Sequence, residues 1–115
     1  MSVTSIHLGY HVTDDITHLS AFYREALGLV PRFADGTRWA EFQAGPARFA
    51  LASPAEAPPG ARGAMLVFAC DAMDELRTRI ANQGGVVVQE RDMGSHGRTL
   101  TAADPAGNLF QLYSR

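Results

Sequence analysis

The sequence predicts an α+β fold in which two near-equal βαβββ halves follow one another within a single domain. Three observations carry that prediction. A strand-like run opens each half, alternating at residues 6–12 and continuously apolar at residues 65–70. An amphipathic helical stripe follows each run and stops at a glycine, Gly28 and then Gly84, 84 − 28 = 56 residues apart. Between the halves, residues 54–63 hold three prolines and two glycines, the composition of a linker. With 115 residues the chain is one domain by size. It divides into a first module of about residues 1–53, the linker, and a second module of about residues 64–115.

In the first module Ile6, Leu8, Tyr10 and Val12 alternate with His7, Gly9 and His11, a period of two. A helix begins after Asp14-Asp15, with Asp15 or Thr17 as its cap. Ile16, Leu19, Tyr23, Ala26 and Leu27 then fall on one face. Strands are predicted at residues 29–33, 38–43 and 47–53, with Asp35-Gly36 and Ala44-Gly45-Pro46 as the turns. In the second module Asp71 is the expected helix cap, Met73, Leu76 and Ile80 form the buried stripe, and Gly84-Gly85 end the helix. Strands are predicted at residues 86–91, 98–102 and 108–113.

Composition excludes several classes. The chain is 46% hydrophobic and 19% charged with a formal charge of −2, so no basic footprint for nucleic acid exists. No apolar window approaches the roughly 18 residues of a membrane span. Cys70 is the only cysteine, which excludes an internal disulfide and points to a reducing compartment. The first five residues lack the features of a signal peptide, and the expected location is the cytoplasm. The glycine-rich run Met93-Gly94-Ser95-His96-Gly97 has neither a following helix nor a Lys-Ser/Thr pair, so it is not a phosphate loop.

The most informative stretch is Asp104-Pro105-Ala106-Gly107-Asn108-Leu109-Phe110-Gln111-Leu112, a tight turn thrown into a short strand. This motif resembles one found in the glyoxalase, bleomycin-resistance and extradiol-dioxygenase group, the vicinal oxygen chelate superfamily. "Ala21-Phe22-Tyr23-Arg24-Glu25-Ala26-Leu27-Gly28-Leu29" resembles the family's first-helix signature, and "Val67-Phe68-Ala69-Cys70-Asp71" its second-module strand entering a helix. The resemblance covers nearly the whole chain. It implies two βαβββ modules whose curled mixed sheets make a half-barrel cleft, and a homodimer that completes or borders it. It also implies one metal ligand from the first and last strand of each module. Those places fall on His7, Ala50, Met65 (with Ala64 beside it) and Gln111. In the family's metalloenzymes a glutamate usually stands where this chain has Gln111.

Large apolar residues are expected beneath the helices, which puts Ile6, Leu8, Tyr10 and Val12 inside and turns His7, Gly9 and His11 to the cleft. The same alternation turns Trp39, Glu41 and Gln43, then Met65, Val67 and Ala69, then Leu109, Gln111 and Tyr113 to the cleft. Cys70 goes under the helix. Trp39 offers a stacking surface, Glu41 a partner for a ligand cation or a base, and Arg98 an anion partner or a cover for the sheet edge. His18 and His96 are read as solvated. His7 and Gln111 are the only donors left at the family's ligand places, and alanine and a thioether do not serve a hard divalent ion. The expectation is therefore a metal-free protein without cofactor that binds an apolar or aromatic small molecule through His7, His11, Trp39, Glu41, Met65, Arg98 and Gln111. The rival expectation is a divalent-metal lyase, isomerase or dioxygenase using His7, Glu41 and Gln111. A third is a module whose cleft is filled by its own side chains and whose role is dimerisation or regulation.

Overall fold

The computed structural model describes residues 7–57 and 65–115. Ile6, Ala64 and the linker from residue 58 onward lie outside the described residues.

The first module runs β1 (Gly9–Val12), α1 (Ile16–Glu25), β2 (Val30–Asp35), β3 (Trp39–Ala44) and β4 (Ala47–Ala52). The second runs β5 (Leu66–Ala69), α2 (Met73–Asn82), β6 (Val86–Asp92), β7 (Arg98–Ala103) and β8 (Leu109–Ser114). Each module is a four-stranded mixed sheet, ordered β1-β4-β3-β2 and β5-β8-β7-β6. In each, the crossover helix makes the first strand parallel to the last, and hairpins make the rest antiparallel. The expected βαβββ order is present in both halves.

Local chemistry explains the boundaries. Asp15, not Thr17, caps α1, its carboxylate accepting from the His18 N–H. In the second module Asp71 does not cap; Ala72 stands at the cap position with no side-chain bond, and Asp74 and Glu75 supply acidic charge to the first turn instead. Gly28 and Gly84 adopt φ of 70° and 90°, which an L side chain resists, and both helices end just before them. Pro54 opens a 3-10 turn over Pro54–Glu56 inside the region expected to be linker.

The edge strands β2 and β6 each carry a bulge at the same place in the repeat, between Pro31 and Phe33 and between Val87 and Gln89. The bulged residues, Arg32 and Val88, are again 88 − 32 = 56 residues apart. That is the same offset as the helix-ending glycines.

The helix-facing sides of the two sheets share one core. Tyr23 of α1 lies 4.7 Å from Phe49 of the first sheet and 6.0 Å from Phe110 of the second, ring centre to ring centre. Phe22 reaches Phe110 at 6.4 Å, and Phe49 meets Phe68 at 5.6 Å edge to face. Phe22 and Tyr23 thus both belong to the buried stripe, together with Ile16, Leu19 and Ala26. Met73 and Ile80 of α2 are buried in the same core, and Leu76 is partly buried against it.

A polar latch closes this core. Asp104 is 3% exposed, and its carboxylate accepts from the Tyr23 hydroxyl at 2.8 Å, from the backbone N–H groups of Ala106 and Asn108 at 2.9 Å each, and from the Asn108 side-chain amide at 3.0 Å. The same amide donates to the Val12 carbonyl at 3.2 Å. A buried carboxylate is tolerable only with its lone pairs filled, and here the turn and α1 fill them. The Asp-Pro-x-Gly-Asn turn is therefore the clasp between α1, β1 and the last hairpin.

Tyr23→Phe should destabilise the protein by about 1–3 kcal/mol in urea denaturation, because it leaves the Asp104 carboxylate one donor short. Burial first, and Asp104 after it, raise the Tyr23 phenol well above its usual value of 10.0. A raised folded value stabilises below the unfolded one, so stability should be full below pH about 10 and fall above it. Tyr23→Phe should remove that alkaline slope.

Candidate functional site

The open face of each sheet, opposite its helix, is set by register. In the first sheet Phe42 pairs with Phe49 and Ala40 with Leu51, and all four are core residues. Trp39, Glu41 and Gln43 then point to the open face, paired with Ala52, Ala50 and Arg48. In the second sheet Leu66, Phe68, Phe110 and Leu112 are on the core side, and Val67, Ala69, Gln111 and Tyr113 on the open side. These faces are the expected ones, and Cys70 packs against the core as expected. Burial pushes its thiol up.

Strand β1 is the exception. Gly9 pairs with Phe49 and His11 with Leu51, so the odd-numbered residues face the core. His11 stacks edge to face on Phe49 at 5.4 Å and lies 6.4 Å from Tyr23. Tyr10 takes the open face, 5.5 Å from Trp39. The alternation rule failed here because both faces of β1 are lined by large neighbours, so apolar count does not identify the inside. Gly9 leaves room for Leu66 on the core side: a Cβ there would stand 2.8 Å from a Leu66 methyl, and that side chain would have to shift. Carried back one turn of alternation, Leu8 rather than His7 belongs with Tyr10. His7 lies before the strand and is exposed.

Of the two places expected for Arg98, it does not take the one on the open face. It pairs with Ser114 and shares its side of β7 with the core residues Leu100 and Ala102, so it does not join the open face. It lies close enough for its charge to act on the Cys70 thiol. Met65 immediately precedes β5 and is exposed. Gln111 is on the open face of the second sheet and donates to the Thr101 hydroxyl at 3.0 Å. His18 is exposed, as expected, and the His96 carbonyl accepts from the Tyr113 hydroxyl.

The open face of the first sheet carries the densest chemistry. The Glu41 carboxylate is buried and fully engaged: Arg32 Nε donates to Oε2 at 3.0 Å and Trp39 Nε1 to Oε1 at 3.3 Å. A second cation, Arg48, stands 3.9 Å from the same Oε2, beyond hydrogen-bond reach. Ala50 and Ala52 form a fully buried floor between these walls. Phe33, in register with Glu41, remains 57% exposed at the edge. Glu41 is thus not a poised base; it fixes the Trp39 ring and one guanidinium. Sequence reasoning missed Arg32 and Tyr10. Arg32 reaches this site only through the bulge in β2, which alternation does not encode, although Pro31 in an edge strand is a signal for one.

The residues present do not fit a divalent metal. The places the resemblance gives for a metal hold His7, Ala50, Met65 and Gln111, a set with one imidazole and no carboxylate. Among the described residues no group of three or more His, Cys, Asp or Glu side chains is placed to hold an ion. Glu41 is occupied by its own cations, and the two open faces share no hydrogen bond or aromatic contact among the described residues.

Comparison with known proteins follows this geometry. Residues 9–113 match the family described as Glyoxalase-like domain. No curated protein matches the chain. A solved glyoxalase-related enzyme from Fulvimarina pelagi is similar with a TM-score of 0.80 at 19% identity, over 98% of this chain and 89% of that one. Lactoylglutathione lyase from Agrobacterium tumefaciens is similar with a TM-score of 0.74 at 23% identity, over 99% and 96%. The fosfomycin resistance protein FosX from Mesorhizobium loti follows at 0.74 and 17%, over 100% and 94%. At these identities the likeness is one of fold.

His11 yields a test of the reversed strand. Burial holds its imidazole below the usual 6.5, with Asp104 opposing, and its Nε2 is buried without a partner. A lowered folded value stabilises above the unfolded one, so stability should be full above pH about 6.5 and fall as the pH drops through the folded value. Calorimetric melts should show a lower Tm at pH 5.5 than at 7.5, and His11→Phe should flatten that difference. An unchanged slope in the variant would return His11 to solvent.

Proposed function

We propose that this chain, which belongs to the glyoxalase-like domain family and with it to the vicinal oxygen chelate superfamily, binds an apolar or aromatic small molecule without a metal. The carrying observation is the open face of the first sheet, where Tyr10 and Trp39 pack at 5.5 Å and the Trp39 ring is fixed by Glu41. A ring held on two sides presents a preorganised stacking surface, and preorganisation lowers the entropic cost of binding. Phe33 extends that surface at its exposed edge. Polar recognition is left to Arg32, whose guanidinium is partly exposed.

The donor chemistry supports the metal-free reading. A catalytic metal site needs about three protein ligands and an open position, and His7, the one good ligand type foreseen there, precedes β1 on the other side of its alternation. Gln111 is a weak neutral donor already bonded to Thr101. The likeness to proteins named as a lyase and as fosfomycin resistance proteins fixes the fold and leaves the activity to the site. The protein acts, in this reading, by sequestering its ligand in the cytoplasm, with a second copy bordering the face.

Isothermal titration with 1-naphthol, a neutral planar aromatic, is the direct test. The wild type should bind with a measurable enthalpy, and Tyr10→Ala should weaken binding about tenfold, the worth of one aromatic contact. His7→Ala should change neither affinity nor stability. Equal binding by wild type and Tyr10→Ala would remove the open face as the site.

A further inference from the structure

We propose that a groove at the seam of the two modules is a second binding site, built for an unbranched apolar chain that ends in a carboxylate. The groove has a volume of about 560 Å3, inside the range of small-molecule pockets. It opens between the β3–β4 hairpin, the segment after α1, and strand β5. Leu29, Leu66 and Leu76 form its walls, each only partly buried, and its floor is the core itself, Phe49 and Leu112 at 2% exposure.

The opening has a physical origin. Strand β1 covers β4 only from Phe49 to Ala52, so β4 residues Ala47 and Arg48 have no strand beside them on that edge among the described residues. The core is therefore reachable from solvent between β4 and β5. A methylene chain laid along it would bury its apolar surface against Leu29, Leu66 and Leu76 and over Phe49 and Leu112.

The headgroup follows from charge. Arg48 is the only charged side chain among the described residues that line the groove. Its nearest anion, Glu41, is 3.9 Å away and already serves Arg32 and Trp39 at 3.0 and 3.3 Å. Arg48 thus keeps its donors for a ligand, and a guanidinium matches a carboxylate through paired hydrogen bonds. Apart from Arg48, which borders both, this site is separate from the open face proposed above.

Decanoate is the probe, with 1-decanol as its uncharged counterpart, in isothermal titration of the full chain. Decanoate should bind once per chain, about tenfold more tightly than decanol. Arg48→Gln should bring decanoate down to the decanol level. Val67→Trp, at a 54% exposed position on the groove lining, should block both ligands without disturbing the core. Tyr10→Ala should leave decanoate binding unchanged, so failure of the open-face site and failure of this one read out separately. Absence of decanoate binding, equal affinity for the two ligands, or loss of decanoate on Tyr10→Ala would overturn the proposal. So would a dimer that Val67→Trp converts to monomer with no decanoate uptake, which would assign the groove to a second copy of the chain.

Discussion

The hydrogen bond between the Tyr23 hydroxyl and the buried Asp104 carboxylate is the interaction on which the arrangement of the two modules depends. Tyr23 belongs to the first helix and Asp104 to the last hairpin, 81 residues apart. Tyr23 also stands between Phe49 and Phe110, one aromatic from each sheet. Apolar packing of this sort is non-directional, whereas a buried carboxylate demands specific donors. The aromatic cluster therefore supplies cohesion, and Asp104 selects the one register in which α1, β1 and the last turn meet. The repeat makes each half a unit with an apolar helix face, and joining those faces turns two marginal sheets into one core.

That choice propagates to the site. Because β1 gives its odd-numbered side to the shared core, His11 becomes an aromatic packing partner and Tyr10 becomes a surface for recognition. Gly9 is small because Leu66 of the other module fills its place. The histidines most suggestive of metal chemistry thus serve the core or precede the strand. The open face of the first sheet is left with Tyr10, Trp39 and Phe33 and a carboxylate held between guanidinium and indole. Its charged groups are Glu41, Arg32 and Arg48, the carboxylate held by one guanidinium and by the indole.

Much of the fold was legible. Glycine stops, period-two runs and the proline-rich linker located both long helices and all eight strands to within three residues, because those signals are local and steric, whereas the 3-10 turn at Pro54–Glu56 went unforeseen. The faces of β3, β4, β5 and β8 were legible too, because Ala40, Phe42, Phe49, Phe110 and their neighbours contrast with polar alternates. In β1 that contrast disappears: Leu8, Tyr10 and Val12 outweigh Gly9 and His11 in apolarity, yet tertiary partners decide the side. Arg32 was hidden by a bulge and Arg98 by its position at a strand end. The clasp role of Asp104 was half visible, since the turn chemistry was plain and the partner 81 residues away was not.

In the proposed reading the wall where this fold would place a cation lacks the donors to hold one. The most direct measurement is NMR of the 15N-labelled chain during titration with one equivalent of Mn(II), whose paramagnetism broadens nuclei near a bound ion. The account predicts that the Gln111 side-chain amide and the backbone amides of Leu8 and Ala50 keep their intensity through stoichiometric addition. Selective broadening of those three signals, saturating at one ion per chain, would contradict it.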